Sequence, residues 1–445
     1  MALPGMSRLR AFAAPLAGLL ALVSPAIASA AWTAGTVVPQ SAGAMWPAAA
    51  VNARGDMAVA WIQEGRSKGH ATVRVRAALR VGGSTRFSVR TLVARRDLAA
   101  RGAAIALDAR GELTVAWVEQ ASDAGRTHGH KTVRAAYRSP DGSWSRVQAI
   151  GRSAAFNYAS PRLAATGSGA VVLTYNAYTS RASGVAAAWR TQGRRFGSVQ
   201  SVPVGRDHLF EPTLAVDPGE TAYLTGTRGC ARPDASVAVA VAPPRRRRFT
   251  KRITVGATAG KAVRMAIMGP GALALAWLDG RCNTTEDTGG VPKATTVRDG
   301  VAAPSVALGD SAAIGLIVSP AVAGAEVSFT TWPSTAPGGE PMVSRVSADG
   351  RIGAPGAPDG GWVALAADRA GDQLVGRAAP QGTATMPLAA RSATQGALDP
   401  APLLGVGFPW TGSALAAPDG RALAALSFSP LSSMNPSIVM AAWRP

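Results

Sequence analysis

The chain has 445 residues, with 46 lysines and arginines against 26 acidic residues and a net charge of +20. Charged residues are nonetheless only 16% of it, while alanine and glycine abound, which leaves little material for solvated helix surface. The basicity is almost all arginine, since lysine occurs only at 68, 131, 251, 261 and 293, and it is scattered apart from the run Arg245 to Arg248. Such a balance invites a nucleic-acid partner, but its scatter and arginine bias read as genome composition, and nucleic acid is excluded as the expected partner.

Residues 1–30 read as a signal peptide. Arg8 and Arg10 precede a largely apolar run, Ala11 to Ile27, and Ala28-Ser29-Ala30 supplies small residues for cleavage. Pro15 and Pro25 interrupt the run, against a membrane anchor, and no later segment is apolar enough to span a bilayer. The expectation is a secreted, extracellular protein whose residues 31–445 form one domain.

Self-similarity governs that domain. Asn52 to Trp61 reads NARGDMAVAW, Asp108 to Trp117 reads DARGELTVAW, Thr166 to Tyr175 reads TGSGAVVLTY and Met268 to Trp277 reads MGPGALALAW. Weaker copies surround Gly219, Gly324, Gly371 and Gly420, so the unit recurs at about 50 residues. Each Asn/Asp-x-x-Gly stretch predicts a tight hairpin turn. A first strand precedes it, as at 161–166, 212–217 and 263–268. A second follows, ending in the best copies in a large aromatic. Both are apolar at most positions, the pattern of a strand buried on two faces. Third strands are expected at 132–138, 184–190 and 236–242. Fourth strands beginning with an aromatic are expected at 144–150, 196–202 and 249–255.

Four strands per unit without helix predict an all-β fold, a β-propeller of about eight four-stranded blades, with seven as the alternative. The C-terminal SIVMAAWRP (437–445) matches a third strand and stops there; WTAGTVV (32–38) supplies a fourth. One blade built from both termini would close the ring and remove two open edges.

On these repeats the chain resembles secreted β-propeller repeat proteins of GC-rich bacteria. It is more loosely similar to sialidase-type, Asp-box propellers. The resemblance implies the fold but no activity. Ser139-Pro140-Asp141-Gly142-Ser143-Trp144 sets Asp and Gly side by side where an Asp box separates them, and no Arg-Ile-Pro element occurs.

Cys230 and Cys282 each lie eleven residues after a repeat glycine, in equivalent loops of neighbouring units, and predict a disulfide in an exported protein. His70, His128 and His130 sit in two near-identical loops, but no carboxylate accompanies them at ligand spacing, so no metal is expected, and no cofactor.

A propeller gathers the segments before its first strands at the channel mouth. There the sequence places Trp46, Tyr158, Asp207, His208, Phe210, Glu211, Trp362 and Trp410, the candidate ligand-binding set, unless the rings simply wedge between blades. Glu64, Glu119 and Asp279, just past second strands, join Asp207 and Glu211 as acid/base candidates, at no recognised catalytic spacing. The expected function is a monomeric, non-catalytic binding or scaffold propeller, engaging a glycan, an anionic cell-wall polymer or an extracellular protein. The alternative is a carbohydrate-active hydrolase or lyase.

Overall fold

The computed structural model describes residues 33–37, 44–67, 70–121, 131–153, 161–179, 182–204, 209–229, 234–256, 260–280, 290–332 and 340–358, save 83, 85, 97, 311, 322 and 323. It also describes the strand backbones at 362–367, 373–377, 388–391, 398–400, 408–416, 422–429 and 437–443. The region expected to be a signal peptide, His128, His130, Tyr158, Asp207, His208, Cys230 and Cys282 lie outside these residues.

Among them the chain is all-β. Strand β1 (Thr33–Val37) opens it. The first repeat supplies β2 (Ala44–Val51), β3 (Met57–Ser67), β4 (His70–Arg80) and β5 (Ser88–Arg96); the second supplies β6 (Leu98–Leu107), β7 (Leu113–Ala121), β8 (Lys131–Arg138) and β9 (Gln148–Ser153). The third contains β10 (Arg162–Ala165), β11 (Val171–Thr179), β12 (Ala182–Arg190) and β13 (Gln200–Ser201). The fourth contains β14 (Leu209–Val216), β15 (Ala222–Arg228), β16 (Ser236–Ala242) and β17 (Lys251–Gly256). Then come β18 (Gly260–Gly269), β19 (Ala272–Asp279), β20 (Val291–Arg298) and the short β21 (Val301–Ala302) and β22 (Val306–Ala307). They are followed by β23 (Ala312–Ala321), β24 (Gly324–Trp332) and β25 (Pro341–Ser347). Strands β26 (Trp362–Ala367), β27 (Gln373–Arg377), β28 (Leu388–Arg391) and β29 (Leu398–Pro400) precede β30 (Phe408–Ala416), β31 (Ala422–Ser429) and β32 (Ser437–Trp443).

Consecutive strands pair antiparallel into mostly four-stranded sheets, as the repeat predicts. Three details differ. A single pairing, Ser153 opposite Ala177, fuses the second and third repeats into one larger sheet. The sheet β23-β24-β25 has three strands among the described residues, and isolated bridges from Val343 to Gly356 and Val346 to Ile352 run along its outer edge. Fourth strands also begin later than the aromatics that were expected to open them. Phe196 and Phe249 are buried beneath the turn, and pairing resumes only at Gln200 and Lys251.

The sheet β1-β32-β31-β30 joins the two ends of the chain, with Thr33 opposite Ala442 and Val37 opposite Val439. First strands touch in succession: β2 meets β6, β6 meets β10, then β14, β18, β23, β26 and β30 follow, and β30 meets β2.

Sheets pack face to face, which explains the strands without in-out alternation. One core cluster unites Ile62 and Val75 of the first repeat with Ile105, Val115 and Trp117 of the second; another unites Val239 and Ile253 with Leu275 and Trp277. Trp61, Trp117 and Trp277, the aromatics that end second strands, are fully buried. Alanines at 58, 60, 116, 274 and 276 let neighbouring inner strands approach closely.

The repeat turn is a three-residue hairpin loop. Gly55 N donates to Asn52 O at 3.0 Å, Asn52 N donates to Asp56 O at 3.2 Å, and Gly55 sits at φ 75°. In the fourth repeat the left-handed position falls on Glu220 (φ 67°), not on Gly219, so Asp217 is the true counterpart of Asn52 and Asp108.

Candidate functional site

Every sheet has two ends, and the first strands change character between them. Near its start each of seven first strands carries a β-bulge. These lie between Met45 and Ala48, Arg101 and Ala104, Phe210 and Thr213, Lys261 and Arg264, Ile314 and Ile317, Ala364 and Ala366, and Pro409 and Thr411. An extra residue there bends the strand and re-aims what precedes it. The ladder continues past the bulge, so residues expected in loops are in strands. Trp46 and Glu211 lie within bulges on β2 and β14, and Trp410 is the extra residue on β30. Phe210 flanks its bulge and is half-buried, and Trp362 opens β26 opposite Arg377. Since β2 touches β30, the bulges bearing Trp46 and Trp410 are on neighbouring strands. The sequence did carry a signal for this. Trp46-Pro47, Glu211-Pro212 and Pro409-Trp410 each place a proline where a ladder donor is dispensable.

A bulge leaves carbonyls without ladder partners, and the preceding repeat supplies them. Arg162 Nε donates to Pro212 O at 2.7 Å, and Thr213 Oγ1 donates to Val263 O at 3.1 Å. Thr227 donates its hydroxyl hydrogen to Gly260 O. The buried Asn176 amide clamps the start of β14, donating to Leu209 O at 2.8 Å and accepting from Leu209 N at 3.2 Å. Sequence reasoning missed these four residues, because nothing local distinguishes a polar residue that serves the next repeat.

Two of the acid/base candidates are held by cations. Glu119 is buried; its Oε1 accepts from Trp117 Nε1 at 2.9 Å and its Oε2 from Arg134 Nε at 2.5 Å. Asp279 lies 2.5 Å from Lys293 Nζ. The positions are equivalent. Each carboxylate stands two residues beyond a buried Trp, and each cation is paired across from that Trp. The first repeat has Gln63 and Arg76 in those places, so this is a device of the repeat. Glu64, on β3, is exposed. Among the described residues no cluster of His, Cys, Asp and Glu could hold a metal ion, and no helix is long and apolar enough to cross a membrane.

The opposite end of the sheets is a dense polar network. Asn52 donates its side-chain amide to Asp56 Oδ2 at 2.9 Å and to Asp108 O, in the next repeat, at 2.8 Å. Asp56 accepts from Gly82 N at 2.7 Å, and Asp108 from the amides of Arg110 and Glu112. Asp217 accepts from Thr221 N, from Gly271 N of the following repeat and from the Tyr223 hydroxyl. Burial and then the Asp217 charge push the Tyr223 phenol up. Glu112 forms a fully buried ion pair with Arg190, whose guanidinium also donates to Thr114 Oγ1 and covers the Tyr137 ring at 4.5 Å.

No protein-family description and no curated protein matches this sequence. Among solved structures, the polysaccharide lyase Uly1 aligns over 93% of this chain and 92% of its own, at 9% identity and a TM-score of 0.47. A variant of NanB sialidase from Streptococcus pneumoniae aligns over 90% and 68%, at 7% identity and 0.41. An α-L-arabinanase of Penicillium chrysogenum aligns over 63% and 92%, at 11% identity and 0.39. All three are too distant to carry an activity over to this chain.

Proposed function

We propose that this chain is an exported, monomeric β-propeller of eight four-stranded blades. In this reading β1 closes the ring against β32, and a glycan is bound without chemistry at the mouth of the channel. The unbroken succession of first-strand contacts from β2 round to β30 and back supports eight blades and a ring. Pairing of β1 with β32 supports closure by the two chain ends.

The observation that carries the binding reading is the recurring bulge. It collects Trp46, Phe210, Glu211 and Trp410 at one end of the first strands, and a closed ring brings that end of every repeat around one opening. Aromatic faces beside a few polar groups suit stacking against sugar rings. Tyr158, Asp207, His208 and Trp362 belong to the same proposed set by their place in the repeat. Glu119 and Asp279 serve as ion-pair partners in this account, which favours binding over hydrolysis. Cys230 and Cys282 follow β15 and β19 in neighbouring repeats, and the proposal joins them in a disulfide. A glycan array combined with a hydrolysis screen on the secreted protein tests the function. Saturable binding without turnover supports it. Turnover abolished by Glu64→Gln moves the protein to the hydrolase or lyase class.

A further inference from the structure

The end of the sheets remote from the bulges carries a charge pattern that glycan binding at the mouth does not use. First-to-second and third-to-fourth turns of the first four repeats all emerge there. Arg54, Arg110, Arg194, Arg195 and the run Arg245 to Arg248 are exposed on these turns. Most acidic residues of the same turns point inward, the exposed Asp141 and the partly exposed Glu220 excepted. Asp56, Asp108, Glu112 and Asp217 are buried, holding backbone amides and Arg190. Only Arg54 approaches one of them, at 3.6 Å from Asp56, whose carboxylate already serves Asn52 and Gly82. The surface charge is therefore cancelled only in part, eight exposed arginines standing against Asp141 and Glu220.

The arginines are also ordered into a track. Arg54 Nη1 donates to Arg110 O at 2.5 Å, Arg110 donates to the Gln192 side chain, and Gln200 Nε2 donates to Arg247 O at 2.7 Å. Turns of the first three repeats are thus linked tip to tip, and the start of β13 reaches the arginine turn of the fourth. Arg245 (φ 63°) and Arg247 (φ 48°) occupy the left-handed backbone region that favours glycine. Arginine in such a position carries a backbone strain that glycine would not.

We infer that this arginine track binds a linear acidic polysaccharide, one carrying carboxylates or sulfates along its length, independently of the mouth. The planar guanidinium fork matches those oxyanions in pairs. Single-stranded nucleic acid would also need aromatic platforms, and membrane attachment an apolar anchor. Among the described residues the exposed large hydrophobics are Val81, Val199, Val301 and Val306, with no aromatic.

The test uses the full secreted chain with heparin and polygalacturonate as probes, and duplex DNA and phosphatidylglycerol vesicles as controls. Binding should weaken steeply with added salt. Replacing Arg245 to Arg248 by serine should lower affinity for at least one polysaccharide by about tenfold or more. Trp46→Ala with Trp410→Ala should leave it unchanged, which separates this surface from the mouth. The double variant Arg245→Gly, Arg247→Gly should unfold at a higher temperature yet bind more weakly, so weaker binding cannot be a folding failure. Absence of saturable polysaccharide binding, tighter binding to DNA or vesicles, or affinity indifferent to the four serines would each overturn the inference.

Discussion

At the turn end of the sheets, buried polar side chains of one repeat reach backbone groups of the next: the Asp217 carboxylate accepts from Gly271 N, and the Asn52 amide donates to Asp108 O. At the bulged end the traffic runs through single side chains, Arg162, Thr213, Thr227 and Asn176, each meeting one or two backbone groups of the neighbour. The first arrangement fixes geometry with charges that cannot be removed singly. The second keeps strands in line by contacts to backbone groups alone. The buried ion pair and the carboxylate-to-amide contacts are thereby concentrated at one end of the sheets, opposite the bulges.

The comparison breaks most sharply at Glu112. Glu112→Ala leaves the fully buried Arg190 without its ion-pair partner, and urea unfolding should show a loss of about 3–5 kcal/mol. Replacing Glu112 and Arg190 together by leucine and methionine should recover most of that loss, because the buried charge goes with its partner. A single loss no larger than that of an exposed pair would show that the turn network does not hold the sheets.

An alkaline titration gives the next largest effect. Burial pushes the Tyr175 phenol up to about 12. An acid whose folded value is raised contributes stability that is complete below its ordinary value, about 10. That contribution is then lost as pH rises through about 12. Urea midpoints followed over this window should fall more gently for Tyr175→Phe. The difference should reach about 2 kcal/mol at the alkaline limit, and parallel curves would contradict it. The smallest effect is expected at Glu220, where the left-handed backbone argues for glycine but the carboxylate accepts from Ser168 N at 2.5 Å. Glu220→Gly relieves one and removes the other, so thermal unfolding should move by less than about 1 kcal/mol.

The third strands, the four-strand unit and the pairing partners at the chain ends were legible in the sequence. Continuous apolar runs such as Ser236 to Ala242 have no other stable use than burial on two faces. Glycine marks the left-handed turn position in the first three repeats, at Gly55, Gly111 and Gly169, but not in the fourth. In the fourth repeat Asp217 keeps its place because it must accept turn amides, whereas Gly219 stands one residue early and Glu220 takes the left-handed position. The aromatics at 196 and 249 misled because burial under a turn and entry into a strand leave the same apolar mark. The bulges were hidden because a one-residue slip in pairing has no compositional trace beyond the adjacent prolines. Asn176 and Thr213 were invisible because their partners, Leu209 and Val263, lie a repeat away.

The central claim, that the bulged ends of the first strands form the recognition site, is tested most directly by calorimetric titration of the glycan selected from the array. The wild-type protein is compared with the Trp46→Ala, Trp410→Ala double variant, and unfolding temperature is followed in parallel. The account predicts an affinity loss of about tenfold or more, equivalent to at least ~1.4 kcal/mol, with the unfolding temperature little changed. Unchanged affinity, or a loss matched by a collapse in stability, would contradict it and return these rings to packing between the sheets.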